Sequence, residues 1–296
     1  MGGYVELLAL VSLGYALRRV GVLDETSSSH LNAFVVYAAM PALVYKVTSS
    51  IPVHELVGYG EMTLVSIATA SVSTALAAGI ARLLREEDPL VPILCSSLGN
   101  TGFLGYPICL STFGEEGLRA AVFYDFGTVL CVIAAYAIAG RGNPIKVSLR
   151  FPPAHAAVAG MLTSILSVKL PTQAVSILKD LGGAAVPTIM VSLGAALKWR
   201  ISEWTTMVPA AWTIKLGISP LVALTLAHAL GLEGVKAYVA TVEGAMPPAV
   251  MTVVLSELLG RRVDLAASIT FSATVISLMT VPLVILTVTG RIPAIT

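Results

Sequence analysis

Apolar stretches of about twenty residues recur along the whole chain, separated by short polar connections. At about 1.5 Å per helical residue, such a stretch matches the thickness of a bilayer's hydrocarbon core. The pattern predicts ten transmembrane helices: Tyr4–Val20, Leu31–Ser50, Leu56–Leu84, Leu90–Phe113, Leu118–Ala139, Pro153–Leu170, Thr172–Leu197, Trp204–Leu230, Val235–Leu259 and Leu265–Thr289. The fold class is therefore an all-α polytopic membrane protein. Four spans are interrupted. The second carries Met40-Pro41, the seventh Gly182-Gly183 and Val186-Pro187, and the ninth Gly244-Ala-Met-Pro-Pro248. The fourth holds Leu98-Gly-Asn-Thr-Gly-Phe-Leu-Gly-Tyr-Pro107, which a lipid-facing helix has no reason to contain. Non-helical backbone at membrane depth survives only where protein covers it or where it lines a wet cavity. In secondary transporters, broken helices place half-helix ends at a substrate site near the midplane.

The interruptions keep step. Pro41 and Pro187, Gly102 and Pro248, Gly114 and Gly260, Gly14 and Gly160, and Thr128 and Thr274 are all 146 positions apart. This predicts a duplication, with a first repeat over 1–140, a cytoplasmic linker over 141–152 and a second repeat over 153–296. Five spans per repeat is an odd number, so the second repeat enters the membrane inverted. The discontinuous helices 4 and 9 then cross at their breaks. Connections after odd-numbered spans carry eleven basic residues: Arg18, Arg19, Arg82, Arg85, Arg141, Lys146, Arg150, Lys198, Arg200, Arg261 and Arg262. The opposite side carries six: Lys46, Arg119, Lys169, Lys179, Lys236 and Arg291. The richer side reads as cytoplasmic, which places both termini outside the cell membrane.

Composition removes other classes. Only 12% of the residues are charged, against about 25% in an average soluble protein. The net charge of +1 offers no basic surface for nucleic acid, so the expected partners are the lipid bilayer and a small solute. Met1 to Val20 lacks a basic n-region and a cleavage site, and reads as a retained first span. Cys95, Cys109 and Cys131 lie inside apolar spans and read as small hydrophobes rather than as disulfide or zinc ligands. No nucleotide-binding loop, nucleophile elbow or metal-ligand spacing is present, so the chain reads as no enzyme and as needing no cofactor. Transport would then run on gradients.

The chemistry concentrates at the breaks. Asn100, Thr101 and Gly102 in one repeat, and Met246, Pro247 and Pro248 in the other, are expected to aim two half-helix N-termini into one cavity. Free N–H groups and the helix dipole make such ends attractive to a carboxylate, and Tyr106 could line the same site. Asp125 and Glu243 sit at similar expected depth, roughly 10–12 Å from the outer side at 1.5 Å per residue. Ionisable groups there are costly unless paired, protonated or ion-bound. Asn100, Asp125, Thr128 and Glu243 are accordingly candidates to bind a coupling ion, H⁺ or Na⁺. Lys215 either counters an anion or snorkels to the interface beside Trp204 and Trp212.

Several strings resemble the auxin efflux carrier family, which includes prokaryotic members proposed to move malonate and similar acids. They are Gly14-Tyr-Ala-Leu-Arg-Arg-Val-Gly-Val-Leu23 with Asn32 and Met40-Pro-Ala-Leu43; Gly99 to Pro107 with Phe113-Gly-Glu-Glu-Gly117; Val186-Pro187 through Ser192 to Leu197; and Met246-Pro-Pro-Ala249 through Gly260. The resemblance implies a five-plus-five inverted-repeat fold shared with bile acid:sodium symporters and sodium/proton antiporters. It implies an elevator movement of helices 3–5 and 8–10 against a scaffold of helices 1, 2, 6 and 7, which could also form a homodimer surface. It places Asn100 at the substrate and Pro247 and Pro248 at the second break. Glu243 is similar to the sodium-coordinating acid of the bile acid symporters. The chain lacks the long cytoplasmic loop of many plant members, which argues against auxin as the substrate. The leading expectation is a secondary active carrier for a small organic anion. The alternatives are an antiporter moving only inorganic cations, and a non-transporting receptor on a transporter fold.

Overall fold

The computed structural model describes residues 3–138, 151–196 and 202–290. The linker expected at 141–152 lies outside these residues except for its last two positions. Arg141, Lys146, Arg150, Lys198, Arg200 and Arg291 of the charge count also lie outside them. The described residues contain no strand. They form α1 (Gly3–Arg19), α2 (Glu25–Phe34), α3 (Met40–Ser49), α4 (Val53–Leu83), α5 (Leu90–Ser97), α6 (Tyr106–Ile138) and α7 (Pro152–Ile165). The second part holds α8 (Thr172–Gly183), α9 (Ala185–Ala196), α10 (Met207–Trp212), α11 (Ser219–Ala229), α12 (Gly234–Gly244), α13 (Met251–Leu258) and α14 (Val263–Thr289).

Among the described residues, six helical stretches are long and apolar enough to cross a membrane: Thr26–Ser49, Val53–Leu83, Thr101–Ile138, Thr172–Ala196, Met207–Ala229 and Val263–Thr289. The interruptions decide how the helices run. Before Met40-Pro41 the backbone widens into a π-helical turn, Val35–Ala39, and the helix continues. A proline inside a helix removes one hydrogen bond and crowds the preceding turn, and a wider turn absorbs both effects. Two further π-helical turns follow: Thr101–Gly105 precedes α6, and Thr213–Ile218 joins α10 to α11. Gly114, at φ 69° and ψ −156°, bends the long stretch where the fourth span was expected to end. Gly260 takes φ 62° at the corresponding place between α13 and α14. L residues rarely adopt that region, so glycine is the natural occupant of both corners.

Between membrane helices the solvent supplies little hydrophobic drive, and close backbone approach through small residues does the packing. Gly14 on α1 lies flush against the Val191 carbonyl of α9. Gly160 on α7 lies against Thr48 and the Tyr45 carbonyl of α3, and Tyr45 also hydrogen-bonds Thr163 at 2.8 Å. Polar ties fasten the helix ends. Asp24 caps α2 by accepting from the Ser27 N–H at 2.6 Å and the Ser27 hydroxyl at 2.7 Å, bonds that hold its carboxyl below the ordinary value. Arg262, ahead of α14, bridges Glu86 at 2.6 Å and Glu203 at 2.8 Å.

A leucine at Gly14 would have to enter backbone already in contact, whereas Gly79 on α4 has open space around it. Gly14→Leu is expected to cost about 3 kcal/mol or more, and Gly79→Leu to be near neutral. Thermal unfolding in detergent checks this, and equal midpoints for the two variants would contradict the packing.

Candidate functional site

The two breaks meet. Helix α5 stops at Leu98, whose backbone turns extended (φ −94°, ψ 111°), and the next helical turn starts at Thr101. Helix α12 stops at Ala245 and α13 begins at Met251. Between them Gly99 and Pro248 form an antiparallel bridge. The Asn100 N–H donates to the Pro247 carbonyl at 2.7 Å, and the Ala249 N–H donates to the Leu98 carbonyl at 2.9 Å. Prolines suit this exchange because neither Pro247 nor Pro248 brings an N–H that would need a partner.

Beside the paired breaks lies a cavity of about 340 Å³, which falls within the size range of small-molecule sites. Asn100, Thr101, Gly102, Asp125 and Thr128 line one side of it, with Ala249 and Met251 of the second break. Asn32 and Met40 of α2 and α3, and Ile189 and Ser192 of α9, line the other. Most of the remaining wall is apolar, with Val36, Val129 and Val132 among its members. The Thr101 hydroxyl donates to Asp125 Oδ1, and the Tyr106 hydroxyl donates to Oδ2 at 2.8 Å. Thr128 bonds Ser66 of α4 at 3.2 Å. Across the cavity the Ser192 hydroxyl donates to Asn32 Oδ1 at 2.8 Å, which leaves the Asn32 NH₂ available as a donor. The N–H groups of Thr101, Gly102 and Phe103, in the first turn after the break, have no acceptor within their own helix.

The membrane transport protein family matches residues 1–148 and 144–285, together nearly the whole chain. The chain belongs to this family, that of the auxin efflux carriers. It is 34% identical to an uncharacterized transporter of Methanothermobacter thermautotrophicus, over 94% of this chain and 95% of the relative. It is 31% identical to an uncharacterized transporter of Methanocaldococcus jannaschii, with the same coverage. It is 27% identical to a protein of Rhizobium meliloti named as a candidate malonate transporter, over 99% of this chain and 97% of that one. The family and these relatives are membrane transporters, not enzymes.

In this transporter the site residues expected from sequence divide into four groups. Asn100, Thr101, Gly102, Asp125 and Thr128 all stand in the cavity wall. Tyr106 and Met246 do not line it. Tyr106 is 2% exposed and supports Asp125 from behind, and Met246 is fully buried in the core. Pro247 and Pro248 act through their backbone at the bridge. Glu243 and Lys215 are buried outside the wall. Glu243 receives a 3.5 Å contact from the Cys109 thiol, and its carboxyl lies flush against Gly105, where any side chain would clash. Lys215, 3% exposed, does not reach the interface; its ammonium donates to the Gly244 carbonyl at 2.9 Å and lies beside Gly99.

Asn32, Ser192 and Gly105 were not among the expected site residues. Asn32 is the second residue of the expected second span, where an amide carries no mark of depth. Ser192 and Gly105 carry no such mark, since serine and glycine are common in membrane helices.

The Tyr106–Asp125 bond makes a quantitative prediction. A double-mutant cycle of Tyr106→Phe and Asp125→Asn should return a coupling of about 1–3 kcal/mol in unfolding free energy. Additive effects would mean that the bond contributes nothing.

Proposed function

We propose that this transporter is a secondary active carrier for a small organic anion, driven by an ion gradient through an elevator-type movement. The observation that carries this reading is the cavity where the two breaks meet, walled on opposite sides by two helix groups. A carboxylate entering it meets the free N–H groups of Thr101, Gly102 and Phe103, with the Asn100 and Asn32 amides as further donors. The candidate malonate transporter of Rhizobium meliloti supports a short dicarboxylate as the first substrate to test.

The wider architecture we propose is ten transmembrane helices in two inverted repeats, 1–140 and 153–296, with the fourth and ninth crossing. Contact pairs support it. Gly160 and Tyr45 stand 146 positions after Gly14 and before Val191, so one helix contact is repeated with the halves exchanged. Ser73 and Ser219, also 146 apart, hydrogen-bond one another at 2.8 Å, as equivalent residues do across a pseudo-two-fold axis. The scaffold in this reading is α1–α3 with α7–α9, which pack through Gly14, Gly160 and Tyr45. The cavity lies between that scaffold and the moving bundle. Asp125 in the wall favours a second reading, in which inorganic cations alone are the cargo.

Purified protein should be stabilised against heat by malonate in a concentration-dependent way. Asn100→Ala should weaken that ligand about tenfold, as loss of one amide hydrogen bond would, without lowering the unliganded midpoint. Stabilisation by Na⁺ or by pH with no response to any carboxylate would select the cation reading.

A further inference from the structure

We propose that the coupling ion is a proton carried on Glu243, and that the Lys215 ammonium fills the cation position that a sodium ion would need beside it. This rests on reading the protein as a gradient-driven carrier. Among the described residues, two carboxyl groups, Asp125 and Glu243, and one ammonium, Lys215, stand around the paired breaks. A net charge enclosed at membrane depth is costly, so one ammonium balances one carboxylate and the other carboxyl holds a proton. Hydrogen bonding decides which is which. Asp125 receives a hydroxyl on each oxygen, from Thr101 and from Tyr106, which is the setting of an ionised carboxylate. Glu243 is 0% exposed; among the described residues its Oε1 meets only the Cys109 thiol and its Oε2 has no partner. That unpartnered oxygen is the place for the exchangeable hydrogen.

The surroundings of Glu243 suit a proton better than a hard cation. Sodium would need several oxygen ligands around it. Glu243 faces a thiol and the bare Cα of Gly105 instead. The Gly244 carbonyl, at the negative end of its own helix α12, is already taken by Lys215 Nζ at 2.9 Å. The titratable and charged groups that face Glu243 are Tyr106, Cys109, Tyr124 and Asp125 from α6 and Lys215 from the turn before α11. Lys215 is the one cation of that set.

Coupling follows from charge. With Glu243 ionised, two carboxylates outnumber one ammonium, and a further anion entering the cavity is repelled. Protonation of Glu243 removes that charge, so proton and anion bind together and anion affinity rises as pH falls. The chain becomes a proton–anion symporter.

The test is uptake of labelled malonate into proteoliposomes with the membrane potential clamped. Gradient-free exchange is read first, and its absence in the wild type would overturn the organic-anion reading itself. Given exchange, an inward proton gradient of one pH unit should drive about tenfold accumulation at one proton per substrate, and an inward sodium gradient should drive none. Glu243→Gln should retain exchange and lose the response to the pH gradient. Accumulation driven by sodium and not by pH in the wild type would overturn the proposal whether or not the variant folds. A Glu243→Gln protein that still accumulates malonate on a pH gradient would do so equally.

Discussion

A peptide group left unpaired at bilayer depth costs several kcal/mol. Two interrupted helices can share the middle of a membrane only if each satisfies the other. The pairing of Leu98–Asn100 with Pro247–Ala249 meets that constraint with two backbone hydrogen bonds and two prolines that bring no N–H of their own. The rest of the site depends on it. The pairing fixes where the helical turn after Asn100 begins, and so where Thr101 to Phe103 meet the cavity. It also sets the end of α12, where the Gly244 carbonyl meets Lys215.

Around this joint the side chains divide by role. Asp125 is tied to Thr101 and Tyr106 at the first break, and Thr128 is tied to Ser66 on the neighbouring helix α4. Ser192 holds the Asn32 side-chain carbonyl and so leaves its amide NH₂ available to donate. Glu243 and Lys215 are withdrawn from the wall.

Much of the helical layout was legible because spans and breaks are written in composition. Apolar length marks a membrane helix, and Gly-Asn-Thr-Gly or Met-Pro-Pro inside one marks a helix that stops. Of the five expected residues that line the cavity, Asn100, Thr101, Asp125 and Thr128 stood out as polar side chains inside apolar spans, and Gly102 as part of the break itself. Facing was not legible. Thr101 and Tyr106 both reach the Asp125 carboxyl, yet only Thr101 lines the cavity, and sequence alone does not say which of the two meets open space. The burial of Lys215 depends on the π-helical turn Thr213–Ile218, which leaves no mark in the composition. The close fit of Glu243 against Gly105 depends on the angle at which two helices cross, which neither local sequence contains.

The central claim is that the substrate occupies the cavity between the two helix groups, in contact with both. Single cysteines at Ser192 and at Thr128, in a background with Cys95, Cys109 and Cys131 replaced, report on the two walls separately. Their rates of reaction with a small water-soluble thiol reagent, with and without malonate, measure occupancy directly. Protection by malonate at both positions is the predicted result. Unchanged labelling at both, in a protein that still binds malonate, would place the substrate elsewhere and contradict the account.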